Sequence, residues 1–300
     1  MNSQVNGLAE NLSSNVLQIT TSLIFPWSKM QPGLLPVYKW IFKNDFNFTE
    51  KPDVLISCGR KSGYTSLYFK KIFKKNIITI HIQNPKVSPI NFDFVVAPNH
   101  DNLDGVNILK SSGAIHQFTQ KKINECKEII NIPHKENLVS IIIGGPNQHY
   151  KFKKSIIQDL IDRIKILKNK YKNYYFCIIP SRRTDQSIVD LLTKKLSNIA
   201  FVWDKKTDNP YLFCLKFSKY FIVTSDSTSM ISECAFTGKP VYVYHLPVKR
   251  VSARILNFHK EFEEKNITRK FTDTLDIWEY TSLNEAKRIA GILRSRILNK

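Results

Sequence analysis

Short apolar runs of three to six residues alternate along this chain with longer stretches in which apolar positions recur every three or four residues. The first kind predicts strands buried on both faces of a parallel sheet; the second predicts amphipathic helices. A helix over Gln4–Leu12 and a strand over Val16–Thr20 come first. A clear unit follows, with strand Val54–Ser57, helix Tyr64–Phe73, strand Ile77–Ile82 and a further strand at Phe94–Val96. Helix Gln120–Ile130 closes this half, and Asn131–Asn137 reads as a linker. The alternation then repeats through strand Leu138–Ile143, helix Phe152–Lys168, strand Tyr174–Ile179, helix Gln186–Leu196 and strand Ala200–Trp203. In Phe152–Lys168 the apolar positions 156, 157, 160, 161, 164 and 167 make one buried stripe. A short helix opened by Asn209-Pro210-Tyr211 leads to strand Phe221–Val223, helix Thr228–Phe236, strand Val241–Tyr244 and a last helix, Leu283–Leu298. The expected architecture is α/β, with one domain over 1–132, a second over 133–280 and a C-terminal helix in 281–300.

In a parallel sheet the carboxyl ends of the strands gather along one edge, where ligands bind. The turns at those ends are therefore the places to look for chemistry. In the first domain they carry Gly59, Arg60, Lys61 and Ser62, then Gln83 and Asn84, then His100 and Asp101. His81, His100 and Asp101 are the candidate general bases, an imidazole titrating near neutrality. Each taken alone is more commonly a structural hydrogen-bonding residue. In the second domain, Thr224-Ser225-Asp226-Ser227 offers N-cap chemistry ahead of a helix that Gly238 stops. The start of such a helix presents unpaired N–H groups and a positive dipole end, a natural phosphate site. The hydroxyls of Ser227, Thr228 and Ser229 add donors there, and Glu233 lies one turn further on, within reach of ribose hydroxyls. A plain capped crossover helix fits the same pattern. Arg182 and Arg183 follow another strand end and offer guanidinium forks to phosphate. Gly144-Gly145-Pro146-Asn147 matches neither the dinucleotide nor the P-loop fingerprint, so no NAD or Walker-type ATP site is predicted.

Composition changes this picture in two respects. The 300 residues carry a net charge of +20, which favours anionic partners and equally fits a lysine-rich composition. The basic residues are scattered, with no basic arm, zinc-finger spacing or RNA-binding aromatic signature, so a nucleic-acid reader is not expected. Five cysteines are odd in number and lack CxxC spacing, which fits a reducing cytoplasm and argues against a zinc site. No apolar run approaches the roughly 20 residues that span a bilayer, and the first residues resemble no secretory signal. The segment Ile24–Phe42, rich in Pro, Trp and Lys, fits either an interfacial element or an ordinary loop packed on the first domain.

Ser227-Thr228-Ser229-Met230-Ile231-Ser232-Glu233, followed by Gly238-Lys239-Pro240, resembles the donor-nucleotide loop of GT-B glycosyltransferases. It is similar to the enzymes that add GlcNAc to a lipid-linked peptidoglycan precursor, and to the non-hydrolysing UDP-GlcNAc 2-epimerases. The resemblance implies a diphosphate at the helix start, Met230 included, and a ribose on Glu233. Hydroxyl residues stand here where those families have glycines. SCGRKSG, HIQNP, PNHD, IGGPN, PSRRT, NPY and WEYTSLNEAKRIA, in this order, resemble the mitochondrial-fission (elongated-mitochondria) family over nearly the whole chain. Its members begin with a strand and a Gly-rich turn ahead of the segment Asn2–Ala9, which implies either a first strand ahead of Met1 or a domain without one.

Together these resemblances imply a GT-B-like fold: two Rossmann-like domains facing across a cleft, with the last helix packing back on the first. They imply metal-independent transfer of a sugar from a nucleotide-diphosphate sugar, with no further cofactor. The nucleotide would lie on Gly144, Gly145, Ser181, Arg182, Arg183 and the Ser227–Glu233 helix start, with Asn209 and Arg254 nearby. A first-domain base would serve an acceptor that is lipid-linked or held at the inner face of the cytoplasmic membrane. Two other readings stand beside this one: a nucleotide-sugar 2-epimerase, and a non-catalytic adaptor like the plant members, which are associated with recruiting a dynamin-related GTPase.

Overall fold

The structure, a computed structural model, describes residues 1–44, 46 and 51–298. The chain divides into two compact units, residues 1–117 with 284–300, and residues 118–283.

The first unit begins with helix α1 (Asn2–Leu12). Strand β1 (Val54–Cys58), helix α2 (Arg60–Phe73) and strands β2 (Ile78–Ile82), β3 (Phe94–Pro98) and β4 (Ile108–Ser111) follow. The strands pair in parallel in the order β1-β2-β3-β4. Side chains alternate across the sheet. Ile80, Ile82, Val96 and Leu109 join Leu8 and the last helix in one core, while Val95, Ala97 and Ile108 pack with Leu67 of α2 in another. Val16–Thr20, expected as a strand, is irregular and largely exposed, because no partner strand lies beside it among the described residues.

The second unit opens with a short helix, α3 (Gln120–Asn124). Expected to run to Ile130 and close the first domain, it stops after five residues and buries Ile123 in the second unit's core. The unit continues through β5 (Leu138–Ile143), α4 (Lys154–Lys170), β6 (Tyr175–Pro180), α5 (Gln186–Leu196), β7 (Phe201–Val202) and α6 (Tyr211–Phe217). It ends with β8 (Ser218–Thr224), α7 (Thr228–Ala235), β9 (Val241–Tyr244), α8 (Ala253–Glu264) and β10 (Thr268–Lys270). All six strands are parallel, in the order β10-β9-β8-β5-β6-β7. From β5 the chain moves outward to β6 and β7, then α6 carries it back to β8 on the other side. The β5/β8 pair is thus the topological switch point, the place where an open α/β sheet leaves a crevice at its carboxyl edge.

Helices α4 and α5 cover one face of this sheet and α6, α7 and α8 the other. The segment after β10 caps α7: Tyr280 Oη donates to Ala235 O at 3.3 Å and to Lys239 O at 2.7 Å, and Ser282 Oγ donates to Phe236 O at 2.6 Å. These bonds tie the end of α7 and the turn into β9 to the returning segment. The chain then returns to the first unit as helix α9 (Glu285–Leu298). Ile289, Ala290 and Leu293 enter the core beside Leu8, and Arg288 Nη2 donates to Lys110 O at 2.6 Å.

Candidate functional site

At the switch point, β5 runs into Gly144-Gly145 and β8 into Ser225-Asp226-Ser227. The Asp226 carboxylate is fully buried and organises both turns. Its Oδ1 accepts from Thr224 Oγ1 at 2.7 Å, and its Oδ2 accepts from Gly145 N–H at 3.1 Å and from Arg183 Nη2 at 2.8 Å. Thr224 Oγ1 in turn accepts from Gly144 N–H at 2.8 Å, and Thr184 Oγ1 donates to Gly144 O. A Cβ on Gly144 would lie 2.1 Å from the Asp226 carboxylate, and one on Gly145 would lie 2.3 Å from Arg183 O. The two glycines are there because three turns meet in contact.

This geometry revises the expectation for Gly144 and Gly145. Their N–H groups are already bonded to Thr224 and Asp226, so neither is left to donate to a phosphate. Arg183, expected on phosphate, is held by Asp226, with Nη1 3.4 Å from Gly145 O. Ser181 accepts from Arg183 N–H at 3.2 Å and contacts Thr184, closing its own turn.

What remains open is the start of α7. Ser227 caps it, its Oγ accepting from Met230 N–H at 3.4 Å. The N–H groups of Thr228 and Ser229 find no acceptor among the described residues, and Ser229 is exposed. Glu233 stands one turn on, partly accessible, its Oε2 accepting from Tyr211 Oη at 2.7 Å. Burial pushes the Glu233 carboxyl up from 4.5 to about 7; the Tyr211 bond and the Arg182 charge only partly offset this. Arg182 itself is exposed and unbonded to other described residues. Asn209 Oδ1 accepts from Tyr211 N–H at 3.0 Å, closing the turn that leads into α6. Arg254 is exposed in the first turn of α8.

In the first unit, His81 is displaced from the expected edge. It lies inside β2, fully buried, on the face turned to α2. Its Nδ1 shares a 2.7 Å bond with Ser57 Oγ, which accepts from Ser66 Oγ at 2.7 Å, and its ring packs on Phe92. Burial lowers its pKa to about 4, so it is neutral yet enclosed, with no route to a substrate hydroxyl. The side chains of His100 and Asp101 are also enclosed, 4.0 Å apart and only 4% and 3% accessible. Ser62 closes the turn after β1 through Cys58, and Gly59 takes φ 80° at the start of α2. Arg60 and Lys61 are exposed; Gln83 Nε2 donates to Gln4 at 2.9 Å, and Asn84 Oδ1 accepts from Lys86 N–H at 2.9 Å.

A cavity of about 350 Å³ lies elsewhere in the second unit, beside Ser155, Asp159, Arg163, Tyr244, His245 and Lys270. Its polar groups largely satisfy one another: Asp159 accepts from Tyr244 Oη at 2.8 Å and from Arg163 Nε at 3.0 Å. It contains none of the α7 residues. Among the described residues no three His, Cys, Asp or Glu side chains gather to hold a metal ion, and no helix is long and apolar enough to cross a membrane.

Residues 1–297 match the family model for mitochondrial fission ELM1. The chain belongs to the mitochondrial fission ELM1 family. It is 29% identical to the uncharacterized protein RP120 of Rickettsia prowazekii, over 97% of this chain and 94% of that protein. It is 24% identical to the mitochondrial fission protein ELM1 of Arabidopsis thaliana, over 82% of this chain and 64% of that one. Among solved structures, a putative UDP-N-acetylglucosamine 2-epimerase from Listeria monocytogenes matches with a TM-score of 0.54 at 11% identity, covering 83% of this chain and 76% of that one. The UDP-GlcNAc 2-epimerase from Methanocaldococcus jannaschii also gives 0.54, at 12% identity over 81% and 77%. These likenesses show the fold, which is GT-B-like.

Two residues that matter in this ELM1-family chain escaped sequence reasoning. Asp226 was visible only as one polar residue in a hydroxyl-rich turn. Tyr211 was visible only as a residue opening a short helix after Asn209-Pro210.

Proposed function

We propose that this ELM1-family protein binds a nucleotide-diphosphate sugar at the start of α7 and transfers the sugar to an acceptor. The observation that carries the reading is the grouping of two unbonded backbone N–H groups, the exposed Arg182 and the partly buried Glu233 around one helix N-terminus at the switch point. A diphosphate there meets fixed donors and the positive end of the helix. As the glycosyl bond breaks, negative charge grows on the departing diphosphate, and pre-oriented N–H groups with a guanidinium stabilise that charge directly. Ionised Glu233, steadied by Tyr211, accepts from the ribose hydroxyls. The chemistry so supplied requires no metal ion. UDP-GlcNAc is the first donor to try, since a structural relative from Methanocaldococcus jannaschii was solved with UDP-GlcNAc and UDP.

The acceptor in this reading is lipid-linked or held at a membrane surface, and the protein works in a reducing cytoplasm, where its five free cysteines stay unpaired. One observation favours a second reading. The three side chains expected to act as the acceptor's base, His81, His100 and Asp101, are all enclosed. A non-catalytic adaptor, which keeps the fold and presents a surface, needs no such base.

Incubation with UDP-GlcNAc and a membrane extract separates the readings. Release of UDP with label entering lipid supports transfer, ManNAc identifies an epimerase, and binding without turnover identifies the adaptor. If no nucleotide sugar binds, transfer and epimerisation are both refuted and the non-catalytic adaptor is left.

A further inference from the structure

The segment before β1 is a folded platform rather than slack chain. Leu23 bridges Phe42, Trp27 Nε1 donates to Pro36 O at 3.0 Å, and Tyr64 Oη of α2 donates to Gln31 O at 2.7 Å. Leu23, Trp27, Ile41, Phe42 and Tyr64 form a small core beneath it. With that core filled, the same segment still presents Phe25, Leu34, Tyr38 and Trp40 to solvent, at 77%, 63%, 42% and 59% exposure. Tyr38 and Trp40 stack at 5.8 Å.

Cations from α2 interleave with these rings. Lys71 Nζ sits 4.9 Å above the Tyr38 ring, and Arg60 Nη1 donates to Lys29 O at 3.3 Å. Residues 11–44 contain three lysines and no Asp or Glu, and residues 54–92 contain seven Lys or Arg and again no Asp or Glu. Of these ten basic residues Lys70 is paired with Asp93, and Asp45, Glu50, Asp53 and Asp93 border the two stretches, so an excess of positive charge remains. Large exposed apolar side chains beside that excess, led by Trp and Tyr, have the chemistry of an interfacial membrane anchor.

We infer that the Ile24–Phe42 platform, together with the basic surface of α2, docks this protein on an anionic lipid bilayer, with Trp40, Leu34 and Phe25 entering the headgroup boundary. The lysines supply attraction to the charged surface and the aromatic and leucine side chains supply depth, so binding needs both. The inference is independent of the sugar-donor reading: it concerns a different surface and a different readout.

Trp40 makes the test specific. The other three tryptophans, Trp27, Trp203 and Trp278, are buried at 9%, 8% and 6% exposure, and Trp27 packs edge-on against Trp40 at 5.0 Å, so a change in tryptophan emission on docking reports on this platform pair. The full chain is mixed with vesicles of phosphatidylcholine alone, or of phosphatidylcholine with a third phosphatidylglycerol, and followed by co-sedimentation and by quenching with brominated lipid.

Binding to the anionic vesicles only, with a blue shift, quenching and weakening at high salt, is the expected result. Leu34→Ser with Trp40→Ser should abolish retention while the protein still melts cooperatively. Each of Lys29→Glu and Lys39→Glu should lower partitioning by about fivefold or more. No binding at low salt overturns the inference. So does equal binding to neutral vesicles, or anionic binding without tryptophan quenching. Lipid-free sedimentation provides the remaining outcome: a dimer that the Leu34→Ser, Trp40→Ser variant dissociates would assign the platform to a second copy of the chain instead.

Discussion

Replacing Glu233 by Gln removes a charge and keeps the shape, so it isolates what the site costs the fold. The carboxyl is pushed from 4.5 to about 7 by burial, which means the folded protein holds this proton more tightly than the unfolded chain does. The associated stability is fully present below about pH 4.5 and is lost as pH rises through about 7. That interval corresponds to about 3 kcal/mol once the group is fully ionised, an upper bound because the side chain is partly open to water. The Gln carbonyl can still accept from Tyr211, so the 2.7 Å bond survives in the variant. The assay is thermal or urea unfolding of both proteins at half-unit steps from pH 5 to 7.5. His81, lowered to about 4, works in the opposite direction: its contribution is present above about pH 6.5 and is lost as pH falls. It is the same in both proteins and cancels in their difference. Lys239, held near 8, titrates mostly above the window. The variant should gain on wild type steadily as pH rises, by up to several degrees for a unit of this size, while losing nucleotide affinity. A difference that stays flat with pH would show that burial does not hold the Glu233 carboxyl above its ordinary range.

Adjacent arginines should separate cleanly. Arg182→Ala is expected to weaken nucleotide-diphosphate binding by about tenfold or more at unchanged stability, whereas Arg183→Ala should cost about 1–3 kcal/mol by leaving buried Asp226 short of a partner; calorimetry and urea unfolding read the two effects. Gly144→Ala should destabilise by about 1–3 kcal/mol or more, since its Cβ would lie 2.1 Å from the Asp226 carboxylate, and a wild-type urea midpoint would refute the close-contact account. The His81 ring resonances in an NMR titration should stay at their neutral positions from pH 8 down to about 5; a midpoint near 6.5 would mean the ring is open to solvent.

Much of the architecture was legible because parallel strands buried on both faces leave continuous apolar runs. The β5, β6, β8 and β9 runs were all visible, as were the Ser227 cap and the Gly238 stop around α7. What escaped has physical reasons. Ile108–Ser111 and Thr268–Lys270 are too short and too mixed to read as strands, and α8 carries its buried Ile255, Phe258 and Phe262 among charged residues. His81 was placed at the sheet edge because a polar residue near a strand end usually sits there. Its actual position follows from register, since odd-numbered positions of β2 turn toward α2, where Ser57 and Ser66 were waiting to bond it. The glycine pair shows the reverse error. The family resemblance places it on the nucleotide, yet contacts with Asp226 and Arg183, distant in sequence, are what exclude a side chain.

The most direct test of the central claim is isothermal titration calorimetry of wild type and Glu233→Ala against a panel of nucleoside diphosphates and their sugar derivatives. The account predicts that wild type binds at least one of them, that its nucleobase matters, and that the alanine variant loses the interaction while remaining folded. Absence of heat with every member of the panel, in a protein that melts cooperatively, would contradict it.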